Sequence, residues 1–281
     1  CGFIGSNLSI FLKKKNFNIL SIDKLKKKYC HLNENRLKKY KIKNLRIDLK
    51  DYKKLSKLKF KADLIIDCAA EPAVEVSSRD PTDVIQNNFI TTLNLLRFSK
   101  KNKSKIIFLS SSRVYSIKEL NNFIENPKLK SKIKIKKKIK ESFNTSSPKS
   151  IYGFSKLASE DLIKEFSFIN PMKFIINRFG VIAGPWQFGK QDQGFVSLWI
   201  ARHFFKKKLS YIGFGGYGNQ VRDIIHIDDV CEIILKQIRN FSKIYNQTFN
   251  IGGGSRNSLS LKKLTSLTED LTGNKIKISK T

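Results

Sequence analysis

The sequence predicts an α/β fold in which a doubly wound parallel sheet is followed by a smaller carboxyl-terminal region. Three observations carry this expectation. Short apolar runs alternate with amphipathic stretches, the pattern of repeated β-α units. Each run is nearly continuous in apolar residues, as in strands covered on both faces. Beyond about Gly184 the alternation breaks, and glycine and aromatic residues crowd together in GPWQFGKQDQGF and GFGGYGNQ.

In chain order, the opening Cys1-Gly2-Phe3-Ile4-Gly5 leads into an amphipathic helix over Ser6–Asn16. Strand character follows at Asn18–Asp23, where NILSID closes on a carboxylate, and again at Leu45–Asp48. DLIIDCA marks a buried strand over Asp63–Ala69, and a long helix is expected over Asp83–Asn102. KIIFLS then makes the strand Lys105–Ser110, Gly153–Phe168 reads as a helix, and KFIINRF as the strand Lys173–Phe179. Residues 1–184 are therefore expected to form the sheet domain. Residues 185–281 form a smaller region of loops and helices over the carboxyl edge, with some chain exchange between the two. Ligands of open α/β sheets bind at that edge. The Lys-rich KLKSKIKIKKKIKES inside Ile117–Ser147 reads as a solvated insertion. The chain opens at Cys1 inside a glycine loop and closes on a lone strand-like KIKISKT, so a piece of a longer protein is expected.

Composition narrows the function classes. A hydrophobic content of 40% with 21 Phe argues for a globular chain. No apolar run reaches 18 residues and no basic leader precedes an apolar stretch, so neither a membrane span nor a signal peptide is read. The net charge of +32 is almost all lysine and spread along the whole chain. Nucleic-acid binding more often concentrates arginine and aromatics on one face, so no nucleic-acid partner is expected. The basic field should still attract a diphosphate. Cys1, Cys30, Cys68 and Cys231 are scattered without C-x-x-C spacing, and the three histidines lack ligand spacing. No metal site is read, and a reducing cytoplasm fits.

Gly2-Phe3-Ile4-Gly5 before a helix suits a dinucleotide site, where glycines let backbone amides approach a pyrophosphate at the positive helix end. Asp23 ends the next strand, about twenty residues on, where a carboxylate accepts hydrogen bonds from the adenosine ribose. It also repels a 2′-phosphate, which favours NAD over NADP. Tyr152-Gly153-Phe154-Ser155-Lys156 places a phenol and an ammonium four residues apart on one helix face. A phenol is a poor base at neutral pH, and a nearby cation lowers its pKa. Upstream, Phe108-Leu109-Ser110-Ser111-Ser112 sets hydroxyls at the carboxyl edge, where a serine can help move a sugar proton.

With Asp48, Ala69-Ala70 and Arg222-Asp223 added in order, the set resembles the extended short-chain dehydrogenase/reductase superfamily of sugar-nucleotide epimerases and dehydratases, over essentially the whole chain. The resemblance implies a Rossmann domain holding NAD, a small carboxyl-terminal domain holding a nucleotide-diphosphate sugar, and a homodimer. It implies that Tyr152 takes a sugar hydroxyl proton, that Lys156 lowers its pKa and binds the nicotinamide ribose, and that Ser111, four residues before Tyr115, assists. Gly2, Phe3, Ile4, Gly5, Asp23, Asp48 and Leu49 (the last two at the adenine), Ala69, Ala70, Asn88 and Ser110 are assigned to the cofactor with Tyr152 and Lys156. Arg222 is assigned, with Ser111, to the substrate; its charge and fork geometry suit a diphosphate. Dehydratases of the superfamily carry Asp-Glu after the catalytic Thr, and here Ser112 and Arg113 stand there, which disfavours dehydration. Val181 stands where many members have Asn. The stretches AAEPAVEVSSRDPTDVIQNN, GPWQFGKQDQGF and IGFGGYGNQVRDIIH resemble the CDP-paratose 2-epimerase branch more than the UDP-glucose 4-epimerase branch.

Overall fold

The computed structural model describes residues 1–72, 80–122, 139–190 and 193–280. Its strands are β1 (Leu20–Ile22), β2 (Lys43–Leu45), β3 (Leu64–Asp67), β4 (Lys105–Ser111), β5 (Phe174–Phe179), β6 (Val181–Ala183), β7 (Leu209–Tyr211), β8 (Val221–His226), β9 (Gln247–Ile251), β10 (Ser258–Ser260) and β11 (Ile278–Lys280). The longer helices are α1 (Phe3–Lys14), α2 (Cys30–Lys39), α3 (Thr91–Asn102), α4 (Ile151–Ile169), α5 (Phe195–Phe204), α6 (Ile227–Arg239) and α7 (Leu261–Thr272). Strands β3-β4-β5-β9 form one parallel sheet, and β1-β2 a parallel pair.

The sheet is doubly wound because its strands are apolar with both parities. Ile107 and Leu109 of β4, with Ile175 and Phe179 of β5, pack against Leu8 and Leu12 of α1 and Val230 and Ile234 of α6. Ile106 and Phe108, with Phe174 and Ile176, pack on the opposite face against Leu96 of α3 and Ile163 of α4. Two helices on each face leave the carboxyl edge open, and the architecture is Rossmann-type.

Several boundaries differ from the sequence reading; the helix expected over Asp83–Asn102 is interrupted by the π-helical turn Gln86–Ile90. β2 lies over Lys43–Leu45, and not at Leu45–Asp48, because Ile47 N donates to the Leu45 carbonyl (2.9 Å) and turns the chain away. The Asp48 carboxylate then accepts from Lys50 N at 3.0 Å and fixes a turn. Chain beyond residue 184 returns to the first layer: β9 pairs with β5 and α6 covers its face. The small region proper is a three-stranded sheet, β10-β8-β6, beside the pair β11-β7 packed on α5 and α7. Gly184 makes the crossing with φ +149, where an added Cβ would lie 2.5 Å from Ile227 Cγ2. Most of the Lys-rich insertion, and residues 73–79 and 191–192 of the loops that carried the resemblance, lie outside the described residues.

Candidate active site

Strand parity decides which serine reaches the cleft. Ser110 shares the parity of Ile106 and Phe108, so it points under α4, where its Oγ donates to Glu160 Oε1 at 2.5 Å. Glu160 is fully buried and is also gripped by Arg178 of β5 through Nε (3.1 and 3.0 Å) and Nη2 (2.6 Å). Ser110, read from the sequence as a cofactor contact, is thus engaged inside the fold. Ser111 ends β4, and its hydroxyl accepts from Arg113 N at 3.2 Å, opening the 3-10 turn Ser112–Val114.

That turn lies against the start of α4. Ser150 caps the helix, its Oγ accepting from Gly153 N at 3.1 Å. Position 153 tolerates only glycine, because a Cβ there would collide with the Arg113 carbonyl. The packing sets the Ser111 hydroxyl and the Arg113 charge in the neighbourhood of the Tyr152 phenol. Burial pushes the phenol's pKa up, Ser111 and the Arg113 charge pull it back, and Glu71 adds to the rise; the net direction is upward.

Lys156 lies four residues on and is almost wholly buried. Its Nζ sits 4.0 Å from the Phe108 ring centroid, and the Asp67 and Glu160 carboxylates favour its charged form. Burial pushes its pKa down to about 8 despite those groups. Arg113 is the cation that acts on the Tyr152 phenol here, while the Lys156 ammonium lies over the Phe108 ring. Arg113 had been noticed in the sequence only as a departure from the dehydratase pattern.

Arg222 of β8 is partly buried; its Nη1 donates to the Val221 carbonyl at 2.8 Å. Burial and the like charge of Arg113 push its pKa down. The adjacent acid does not neutralise it, since Asp223 Oδ1 accepts from Gly253 N at 2.5 Å. Arg113 therefore acts electrostatically on both Arg222 and the Tyr152 phenol, and two like charges within range of one another are an arrangement that a dianion would stabilise.

Three comparisons with known proteins bear on this geometry. Residues 1–252 match the model of the NAD dependent epimerase/dehydratase family. The chain belongs to that family. CDP-paratose 2-epimerase of Salmonella typhi is 29% identical over 280 residues, covering 96% of this chain and 82% of that protein. UDP-glucuronic acid 4-epimerase of Bacillus cereus, solved with UDP-glucuronic acid and NAD, superposes at TM-score 0.79 with 25% identity, over 99% of this chain and 83% of that one. Thermus thermophilus UDP-glucose 4-epimerase, solved with NAD, shares the fold at TM-score 0.81 and 21% identity, over 99% and 83%. As a member of this family the chain is an NAD-dependent enzyme of the isomerase class.

The residues at the edge fit that cofactor unevenly. Gly2 is the N-cap of α1 with no side-chain cap, and a Cβ there would meet nothing within 4 Å, so the first-turn amides of Phe3, Ile4 and Gly5 face open space. Asp23 stands beside them at the end of β1, its Oδ2 3.2 Å from the Cys1 amino nitrogen and its Oδ1 accepting from Leu25 N at 2.6 Å. An uncapped helix start with a carboxylate next to it suits a pyrophosphate and a ribose. Asp48 is held ionised: burial raises its pKa, but Lys50 N and the Lys24 ammonium (3.2 Å) outweigh it. Leu49 packs with Leu55, Leu95 and Phe98. Ala69 N donates to Asp67 Oδ1 at 3.0 Å, and the Ala70 carbonyl accepts from Lys27 at 3.0 Å. Asn88 departs from the expected cleft lining. It lies buried in the π-helical turn Gln86–Ile90, its amide bonded to Glu71 N (2.7 Å), Glu71 O (3.3 Å) and Ser155 Oγ (2.9 Å), and so ties the loop after β3 to α4.

Proposed function

We propose that this enzyme inverts C2 of a CDP-sugar, CDP-paratose to CDP-tyvelose, with Tyr152 as the base. The observation that carries the reading is the packing of the turn after β4, with Ser111 and Arg113, onto the first turn of α4 that bears Tyr152, with Arg222 within electrostatic range. The α1 amides, Asp23, Asp48 and Lys156 would hold NAD, which would supply the hydride acceptor and donor for the sugar carbon. Tyr152 takes the proton of the sugar hydroxyl, and Ser111 hydrogen-bonds that hydroxyl and relays the proton. Binding of a diphosphate to Arg222 fills the gap left between two guanidiniums. The 2-keto sugar turns over in the site and receives its hydrogen on the other face. Ser112 and Arg113 offer no carboxyl group to protonate a leaving hydroxyl, which supports epimerisation over dehydration.

A 4-epimerase acting on UDP- or dTDP-sugars is the nearest rival reading, and relatives of that kind match at 26–28% identity. Incubation with CDP-, UDP- and dTDP-sugars separates the two: isomerised CDP-sugar supports the proposal, and turnover of UDP-glucose without any CDP-sugar overturns it. The reading includes a homodimer packed through the helices of Asp83–Asn102 and α4, where Phe154 and Phe168 are exposed. Light scattering at the monomer mass would contradict that part.

A further inference from the structure

Four ionisable side chains lie buried in a row between α4 and the sheet: Asp67 on β3, Lys156 and Glu160 on α4, and Arg178 on β5. Burying a charge is costly unless it is paired, so each needs a partner. Arg178 and Glu160 satisfy one another. Both Glu160 oxygens take Arg178 nitrogens, and Oε1 takes Ser110 as well. Although Glu160 is four residues from Lys156, it is already neutralised.

Asp67 is left. Its Cα is the register partner of Phe108 in the parallel pair β3–β4, so the carboxylate and the ring project from the same face, beneath Lys156. The Lys156 ammonium lies over that ring at 4.0 Å. The other groups on the carboxylate are neutral: Oδ1 accepts from Ala69 N (3.0 Å) and Oδ2 from Thr92 Oγ1 (3.1 Å). Both side chains are at most 2% exposed.

We propose that Asp67 is the counter-ion of Lys156, a positioning residue that keeps the ammonium charged and holds it over the Phe108 ring. The groups facing Lys156 are Asp67 at the end of β3 with Cys68 just after it, Phe108 from β4 and Glu160 from its own helix. Cys68 is itself driven up to about 12 by burial and stays a neutral thiol. The electrostatics agree in both directions: burial pushes Asp67 up while Lys156 pulls it down, and burial pushes Lys156 down while Asp67 holds it up. Without Asp67, Lys156 would lose its proton within the neutral range, and the site would lose its buried cation.

The inference rests on the reading of Lys156 as part of the catalytic set, but its test does not need turnover. The lysine Cε carbons are followed by NMR through a pH titration of the full chain labelled with 13C-lysine, with Lys156→Met identifying the resonance. The wild type should titrate near 8. In Asp67→Asn the midpoint should fall by a unit or more, while Thr92→Val, which removes only a neutral donor, should leave it near the wild-type value. The alkaline limb of kcat/KM should move with it, and Asp67→Glu should restore it. Should Asp67→Asn fail to fold, the same coupling is read from the other side, as a rise of the Asp67 carboxyl titration in Lys156→Met. An unchanged Lys156 midpoint in a folded Asp67→Asn protein, or an unchanged Asp67 midpoint in Lys156→Met, overturns the proposal. Absence of epimerase activity in the wild type, with the titrations as expected, would instead count against the functional reading.

Discussion

At the scale of single residues, the site depends on how a buried phenol becomes a base. Tyr152 is pushed up by burial, and among the described residues Arg113 is the cation that acts against this. Removing that charge raises the phenol further, so in Arg113→Ala the acid limb of the kcat profile should move to higher pH; an unmoved limb would contradict the role. Tyr152→Phe keeps the ring and removes the base, so kcat should fall by roughly 10²–10⁴-fold, the span of general acid–base effects, while NAD binding measured by calorimetry is retained. Tyr152 and Lys156 stand out in the sequence by their helix-face spacing and Ser111 by its place at a strand end, while Arg222 rests on the resemblance. The part of Arg113 was hidden, since position 113 gains its meaning only when the turn after β4 packs on α4. The bonds of Ser110 to Glu160 and of Asn88 to Glu71 and Ser155 were hidden for a related reason: adjacency in sequence does not tell which side of a sheet or helix a side chain takes.

At the scale of elements, the geometry hangs on one contact, the 3-10 turn Ser112–Val114 pressed onto the first turn of α4. Gly153→Ala would force that turn away from the helix, with a cost of roughly 1–3 kcal/mol, typical of overpacking. Thermal melts should show the loss, and kcat should drop further than stability because Ser111 and Tyr152 separate. Strands β3, β4 and β5 were plain in the sequence because runs such as KIIFLS and FIINRF are apolar with both parities. Parity could also have placed Ser110 and Arg178 under α4, opposite Glu160. The end of β2 was not legible, because the turn at Ile47 follows from local hydrogen bonds that leave the hydropathy pattern of LRID unchanged.

At the scale of the whole molecule, a change in texture near residue 184 and some chain exchange are read from the sequence, but which elements return to the first layer, β9 and α6, is not, since it depends on which sheet edge remains open. The net charge of +32 is a property of the entire surface. If it draws the diphosphate substrate toward Arg222, KM should rise with salt, since the Debye length falls from about 10 Å at ~0.1 M to about 3 Å at ~1 M, while kcat changes little. The most direct measurement of the central claim is proton NMR of CDP-paratose incubated with the full chain in D2O. Inversion at C2 with its original hydrogen retained is the predicted result. Deuterium at C2, or no inversion of the CDP-sugar while UDP-glucose turns over, would contradict it.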